Sequence, residues 1–169
     1  MPDITLRPMR PADLPAVLAI QAQCYGETLL ESSEALASRL ALSPDTCWVA
    51  ALPDGALAAY LFTHAWPEAS LPAWNGLLVR NWDDGETLTW FVHDMAVAPI
   101  GRGAGLPPRL YAAAREAAIS AGLASSRLIA VQSAATYWRR LGYAPVPAER
   151  HAAKLAAYGD DAVLMGCGL

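Results

Sequence analysis

Between Thr89 and Leu110 an apolar stretch runs into a cluster of glycines, and this junction constrains the chain more than any other. Trp90, Phe91, Val92, Met95 and Val97 are bulky and β-prone, so the segment reads as a buried strand. Pro99 stops it, because a proline has no N–H to give a sheet ladder. Gly101-Arg102-Gly103-Ala104-Gly105 follows as a loop nearly free of side chains. A helix comes next, with apolar residues at Leu106, Leu110, Ala113, Ala114, Ala117 and Ala121. Pro107 and Pro108 suit its first turn, where a missing N–H costs little.

Strand, glycine loop and helix together make an anion site. Main-chain N–H groups at a helix start point outward, and the helix dipole favours negative charge there. Glycines let a phosphate approach the backbone closely, and Arg102 adds a fixed positive charge. A pyrophosphate is the natural guest. It is not the pyrophosphate of a dinucleotide fold, because Leu106 or Pro108 stands where the last glycine of that fingerprint would fall. Nor is it held by a P-loop, since no Gly-Lys-Ser/Thr is present. For the loop taken alone, a plain strand-to-helix connection is the alternative.

The remaining elements set this junction in a mixed sheet. Ile4 to Met9 reads as a first strand, and Pro11 and Asp13 open a helix whose apolar stripe of Leu14, Val17, Leu18 and Cys24 is interrupted by Gln21. Gly26 closes that helix, Ser32 or Ser33 caps a second, and Pro44 ends it. Thr46 to Leu52 and Ala56 to Trp66 form a hairpin around the Pro53-Asp54-Gly55 turn. The long connection from Pro67 to Asp84 carries Trp74 and Trp82, which either wall a substrate or pin the loop down. After the central unit come a strand from Ser126 to Gln132, a short helix from Ala134 to Leu141, and a last hairpin joining Tyr143–Val146 to Ala162–Met165. The order is β α α β β β α β α β β, an α/β chain with one mixed sheet. Its 169 residues suit a single domain spanning 1–169.

Composition narrows the function. A net charge of -4 argues against nucleic acid as the main partner. Cys24, Cys47 and Cys167 are scattered and odd in number, which fits reduced thiols in a cytosol and neither a disulfide framework nor a metal site. No apolar run is long enough to span a membrane, and no signal-peptide run opens the chain.

Arg102-Gly103-Ala104-Gly105-Leu106-Pro107 resembles the Arg/Gln-x-x-Gly-x-Gly/Ala loop of the GNAT superfamily of N-acetyltransferases. Ala134-Ala135-Thr136-Tyr137-Trp138-Arg139-Arg140-Leu141-Gly142-Tyr143 resembles that family's Ala-x-x-Phe-Tyr-x-x-Leu-Gly-Phe segment, and the element order agrees. The resemblance implies the GNAT fold and acetyl-CoA as cosubstrate, with no metal. It places the diphosphate on Arg102, Gly103, Ala104, Gly105, Leu106, Pro107 and Pro108, and the pantetheine along Met95, Ala96 and Val97. Gln132 and Trp138 are further candidate CoA contacts, and Pro107 departs from the family's final Gly/Ala. His93-Asp94-Met95-Ala96-Val97 is similar to the His-x-Leu-Ala-Val of the arylalkylamine branch, although Phe91 replaces that branch's second histidine.

Acetyl transfer to an amine requires a base, an oxyanion donor and, on departure of the thiolate, a proton. His93 is the expected base, since an ordinary histidine with a pKa near ~6.5 offers neutral imidazole at pH 7. In a regular strand it shares a face with Phe91, Met95 and Val97, and Asp94 points to the other side. The resembling family places a tyrosine where this chain has Trp138. Tyr137 is one residue earlier, about 100° around the helix, an offset that predicts a core-facing ring. Tyr143 is a further option. Water alone can also protonate the leaving thiolate, whose acid has a pKa near ~8.5. The sequence thus points to an acetyl-CoA-dependent N-acetyltransferase acting on a small primary amine, an arylalkylamine or other apolar amine, in a ternary complex. The alternatives are a protein or peptide acetyltransferase and a non-catalytic acyl-CoA-binding module. The expected partner is the small-molecule amine; homodimers are common in the superfamily, so the resemblance allows a second copy, but no residue of the sequence shows one.

Overall fold

A computed structural model describes residues 3–25, 27–131 and 133–169, so Gly26 and Gln132 lie outside the described residues. The elements are β1 (Thr5–Pro8), α1 (Leu14–Cys24), α2 (Ser33–Leu42), β2 (Trp48–Ala51), β3 (Leu57–Pro67), β4 (Leu88–Val97), α3 (Leu106–Ser120), β5 (Ser125–Ala130), α4 (Ala135–Arg140), β6 (Ala144–Pro145), α5 (Ala152–Ala156) and β7 (Val163–Gly168). The expected order holds, with α5 added inside the last connection. Ser32 caps α2, its Oγ accepting the Ala35 N–H at 3.1 Å. Gly55 makes the expected turn before β3 with φ 89°.

The strands form one sheet in the order β1-β2-β3-β4-β5-β7-β6. Among the described residues only β4 and β5 run parallel; every other neighbouring pair is antiparallel. On one face α3 lays Leu106, Leu110, Ala114 and Ala118 against Leu61, Trp90, Val92 and Leu128. On the other face α1 and α2 lay Val17, Ile20, Leu36 and Leu40 against Val49, Tyr60 and Phe62. The 3.6-residue periodicity of the helices and the twofold alternation of the strands meet in these two layers.

β4 departs from regularity at one point. Phe62 pairs with Asp94 and Thr63 with Val92, leaving His93 as an extra residue opposite no partner. This is a β-bulge. Before it, Trp90 and Val92 face the α3 layer; after it, Met95 and Val97 do. His93 and Asp94 therefore both face the α1/α2 side, where one meets Glu31 and the other Tyr60. The expectation that His93 shares a face with Met95 and Val97, with Asp94 opposite, is corrected: the inserted residue resets the alternation.

β4 and β5 also part company. Their pairing covers only Trp90–Ser126, Phe91–Arg127 and Val92–Leu128, although β4 continues to Val97 and β5 to Ala130. Past Val92 the β4 backbone edge that faces β5 is released from the ladder, and a cleft opens between the strands.

Beyond β4 the chain turns through Pro99–Gly101 and enters α3 at Gly105, which takes a left-handed φ of 66° as the N-cap. Gly101 is required for space: a Cβ there would lie 2.7 Å from the Ala58 carbonyl oxygen. Gly101→Ala is expected to destabilise the protein by about 1–3 kcal/mol through overpacking, measured by urea unfolding. A loss below about 0.5 kcal/mol would contradict the close packing of the loop on β3.

Candidate active site

The cleft between the parted strands is a cavity of about 260 Å³ lined by Tyr25, Val92, His93, Asp94, Met95, Leu128, Ile129, Val131, Ala134, Tyr137 and Trp138. A second cavity of about 50 Å³ adjoins it and adds Leu29, Glu31, Trp74 and Tyr158. Tyr25, His93, Asp94, Ile129 and Val131 line both, so the bulge residues stand at the junction.

His93 does not stand alone there. Its Nε2 lies 2.6 Å from Glu31 Oε1. Glu31 Oε2 meets Arg39 Nη2 at 3.1 Å and accepts the Asn75 N–H at 2.9 Å. The Arg39 guanidinium is fully buried and also donates to the carbonyls of Ala35, Ala73 and Gly76 at 2.7, 3.0 and 2.8 Å. Gln21 clamps the Glu31 main chain, donating to its carbonyl and accepting its N–H, both at 3.0 Å. Burial alone would raise the Glu31 carboxyl. The charge and hydrogen bond of His93, with Arg39 and the Asn75 N–H behind them, outweigh it and hold the group at about 2. An ionised Glu31 can only accept, so His93 Nε2 carries the hydrogen of this bond, and whenever the ring is neutral its lone pair lies on Nδ1. Among the described residues His93 Nδ1 has no hydrogen-bond partner.

Asp94 is the other carboxylate of the junction. Its Oδ1 accepts from the Tyr25 hydroxyl at 2.8 Å and its Oδ2 from the Tyr60 hydroxyl at 2.7 Å. Burial pushes this carboxyl up, against the opposing influence of His93 and the two hydroxyls. Behind His93 lies His64 on β3, its ring stacked on Phe91 and 6.0 Å from that of His93, centroid to centroid. Burial, aided by the charge of His93, pushes His64 down to about 3, so it stays neutral.

The tyrosines of the sequence signature differ in what they reach. Tyr137 packs on the edge of the α3-side core, its ring 5.0 Å from that of Trp138, and in addition lines the larger cavity, half-buried. Trp138 takes the inward position, packing on Tyr111 and Tyr143 and giving one edge to the cavity. Tyr143 is buried away from the cleft, bonded to Ser126 Oγ at 2.6 Å and Tyr111 Oη at 3.0 Å. The carboxylates Asp83, Asp84 and Glu86 sit on an exposed turn and reach neither cavity. The two loop tryptophans divide the roles between them: Trp74 walls the smaller cavity, and Trp82 pins the loop against Trp66 with ring centroids 5.6 Å apart.

The glycine loop lies at the start of α3. Gly103, with φ 83°, and Gly105 turn their main chain outward, and Arg102 is exposed beside them. Pro107 and Pro108 occupy two of the first three helical positions, so the helix start offers only the N–H groups of Gly105 and Leu106; that of Arg109 already serves the first intrahelical bond. Met95, Ala96 and Val97 carry the backbone that is unpaired with β5 between this loop and the bulge, where the Met95 carbonyl accepts from Tyr25 Oη at 3.0 Å and the Val97 carbonyl from Cys24 Sγ at 3.2 Å.

Three connections close around the smaller cavity. The segment after α1 is joined to the 68–87 loop by Ser32 N–H to Asn75 Oδ1 at 2.7 Å and by Glu31 to Asn75. The segment around α5 is joined to the same loop by Tyr158 Oη to the Pro72 carbonyl and Lys154 Nζ to the Leu71 carbonyl, both 2.8 Å.

Sequence comparison agrees with this architecture. The pattern of the acetyltransferase (GNAT) family matches residues 14–143. No curated protein matches the chain in sequence. Among solved structures, the NatC complex bound to a Gag peptide and CoA superposes with a TM-score of 0.74 at 13% identity, covering 99% of each chain. Arabidopsis thaliana Naa50 with a bisubstrate analogue gives 0.70 at 9% identity over 98% of this chain and 99% of that one. The Drosophila melanogaster polyamine N-acetyltransferase gives 0.69 at 16% identity over 99% and 100%. Fold and family together define an N-acetyltransferase. The chain belongs to the GNAT family of acetyltransferases.

Glu31, Arg39, Tyr25 and Trp74 complete the site, and the first three were missed in the sequence. Two signals for them were present. Gln21 breaks the apolar stripe of α1 because it grips Glu31. Arg39 shares the buried face of α2 with Ala35, Leu36 and Leu40, an unusual place for a charge.

Burial of His64 makes stability depend on pH. The unfolded histidine takes a proton below about 6.5 and the folded one only near 3, so between these values the unfolded state binds more protons. Stability therefore falls as pH falls, at about 1.4 kcal/mol per pH unit for one proton. Glu31 adds its own loss below its ordinary 4.5. His64→Phe is expected to flatten the decline of melting temperature from about pH 6.5 to 5. An unchanged slope would show that His64 does not supply it.

Proposed function

We propose that this protein transfers the acetyl group of acetyl-CoA directly to a compact primary amine, with His93 as the base. The observation that carries the reading is the position of the His93–Glu31 pair at the junction of two cavities, one between the parted strands β4 and β5 and one walled by Tyr25, Trp74 and Tyr158. The diphosphate binds at Arg102, Gly103, Ala104, Gly105 and Leu106, with Pro107 and Pro108 contributing shape and no donor. The pantetheine amides pair with the released edge of Met95, Ala96 and Val97. Trp138 gives the cavity edge beside the thioester.

The amine arrives as an ammonium. His93 takes its proton at Nδ1 through a water molecule in the cavity it lines. Glu31 stabilises the imidazolium that results. The neutral amine attacks the thioester carbon, and the negative charge that develops on the carbonyl oxygen meets the freed main-chain N–H groups of β4. As the C–S bond breaks, the adduct nitrogen gives its remaining extra proton to water and the thiolate takes one from water, directly or by way of Tyr137, so the amide and the free thiol leave and the one net proton stays on His93. The acceptor is small because the three connections around the second cavity are bonded to one another. Its walls of Tyr25, Leu29, Trp74, Ile129 and Tyr158 favour an apolar group, consistent with an arylalkylamine or a shorter relative. A polypeptide N-terminus would need those connections apart.

The test is an acetyl-CoA assay on a panel of small amines and N-terminal peptides. Acetylation of apolar primary monoamines in preference to peptides is expected; the reverse preference would overturn the compact acceptor. Arg102→Ala is expected to lose about 1–3 kcal/mol of acetyl-CoA binding in calorimetry, as a charge-assisted phosphate contact implies. His93→Gln is expected to lower kcat by about 10²-fold or more. Tyr137→Phe is expected to slow turnover less than about tenfold, because water can replace the phenol.

A further inference from the structure

The buried cation next to the site has no evident need to be there. A guanidinium taken out of water is costly, and a hydrophobic side chain of similar size would fill the same space at no such cost. Arg39 nevertheless sits wholly buried on the inward face of α2, four residues beyond Ala35, and its two terminal nitrogens make four contacts. Three go to carbonyls: Ala35 lies within α2 itself, and Ala73 and Gly76 tie the 73–76 loop to it. The fourth goes to the Glu31 oxygen that His93 does not use. Arg39 and His93 thus compete for one carboxylate from opposite ends.

This arrangement has two consequences, both of which rest on the proposed role of His93. The first is geometric. With Oε2 held by Arg39 and by the Asn75 N–H, Glu31 can present only Oε1 to the imidazole. That fixes the hydrogen on Nε2 and leaves Nδ1 to take a proton. The second is electrostatic. An isolated buried carboxylate would hold an imidazolium so firmly that the proton would not leave between turnovers. The positive charge of Arg39 draws off part of that attraction. The other groups facing His93 do not supply this opposition: His64 on β3 is neutral, Asp94 on β4 is an acid, and Tyr25 and Tyr158 are phenols.

We propose that Arg39 is a positioning residue of the transfer site, which aims Glu31 at His93 Nε2 and moderates the hold of Glu31 on the protonated imidazole.

The experiment is a proton and nitrogen NMR titration of the three histidines in the full chain, run beside the pH profile of kcat/KM. The His93 resonance is identified by its loss in His93→Gln. In the unaltered protein above its midpoint, His93 is expected to show a hydrogen on Nε2; a hydrogen on Nδ1 would overturn the proposal without any variant. Glu31→Gln is expected to lower the midpoint by about one pH unit, since the carboxylate that favours the imidazolium is gone. Arg39→Gln is expected to raise it by about half a pH unit or more, and Arg39→Lys, which keeps the charge, to stay near the unaltered value. Opposite directions for Glu31→Gln and Arg39→Gln are the signature, because a general loosening of the site would move both alike. Equal midpoints for Arg39→Gln and Arg39→Lys would overturn the electrostatic role. If Arg39→Gln does not fold, the hydrogen position in the unaltered protein and the Glu31→Gln shift decide the matter. The titration needs no substrate, so absence of acetyl transfer would count against the proposed function alone, and an unmoved His93 resonance against this inference alone.

Discussion

One extra residue in β4 organises the site. The bulge at His93 turns two consecutive polar side chains to the same face of the sheet, at the level where β4 and β5 stop pairing. Without it His93 and Asp94 would face opposite layers, and one of them would be buried against the apolar α3 face with no partner. The parting of the strands releases backbone donors and acceptors that a regular parallel pair would consume. The two irregularities together bring side-chain chemistry and free main-chain groups into one cleft.

The polar network around the bulge shows how a fold sustains such a departure. Glu31, Arg39 and His93 are all withdrawn from water, and an ion pair in that position is weak evidence of stability. Its value lies in what it connects. Arg39 binds three carbonyls, Asn75 bonds to both Glu31 and Ser32, and Gln21 grips the Glu31 main chain. The 68–87 loop is thereby anchored to α2 and to the segment after α1, and Tyr158 and Lys154 anchor it from the other side. A long loop rich in proline and tryptophan becomes a fixed wall of the smaller cavity.

Local chemistry was legible in the sequence, and long-range geometry was not. The strand, glycine loop and helix from Thr89 to Leu110, the Ser32 cap and the Pro53-Asp54-Gly55 turn all follow from residue types at short spacing, and each appears where expected. The family resemblance was carried by two short segments for the same reason. The bulge was invisible, because a strand's periodicity tells which residues are apolar and not where one residue is inserted. Glu31 was invisible because 62 positions separate it from His93. The inward ring of Trp138 and the contact of Tyr137 with the cavity as well as the core depend on how α4 rolls against Tyr111 and Tyr143, a tertiary choice that the sequence spacing does not carry. The short α5 was missed because five residues are too few to show a helical stripe.

The central claim is that the cleft beside the bulge receives acetyl-CoA. A crystal structure of the complex with CoA tests it most directly. The account requires the diphosphate on the N–H groups of the 103–106 loop, the pantetheine along Met95 to Val97, and the sulfur beside His93 and Asp94 at the mouth of the smaller cavity. CoA bound elsewhere, or lying in the cleft with its sulfur directed away from the bulge, would contradict it.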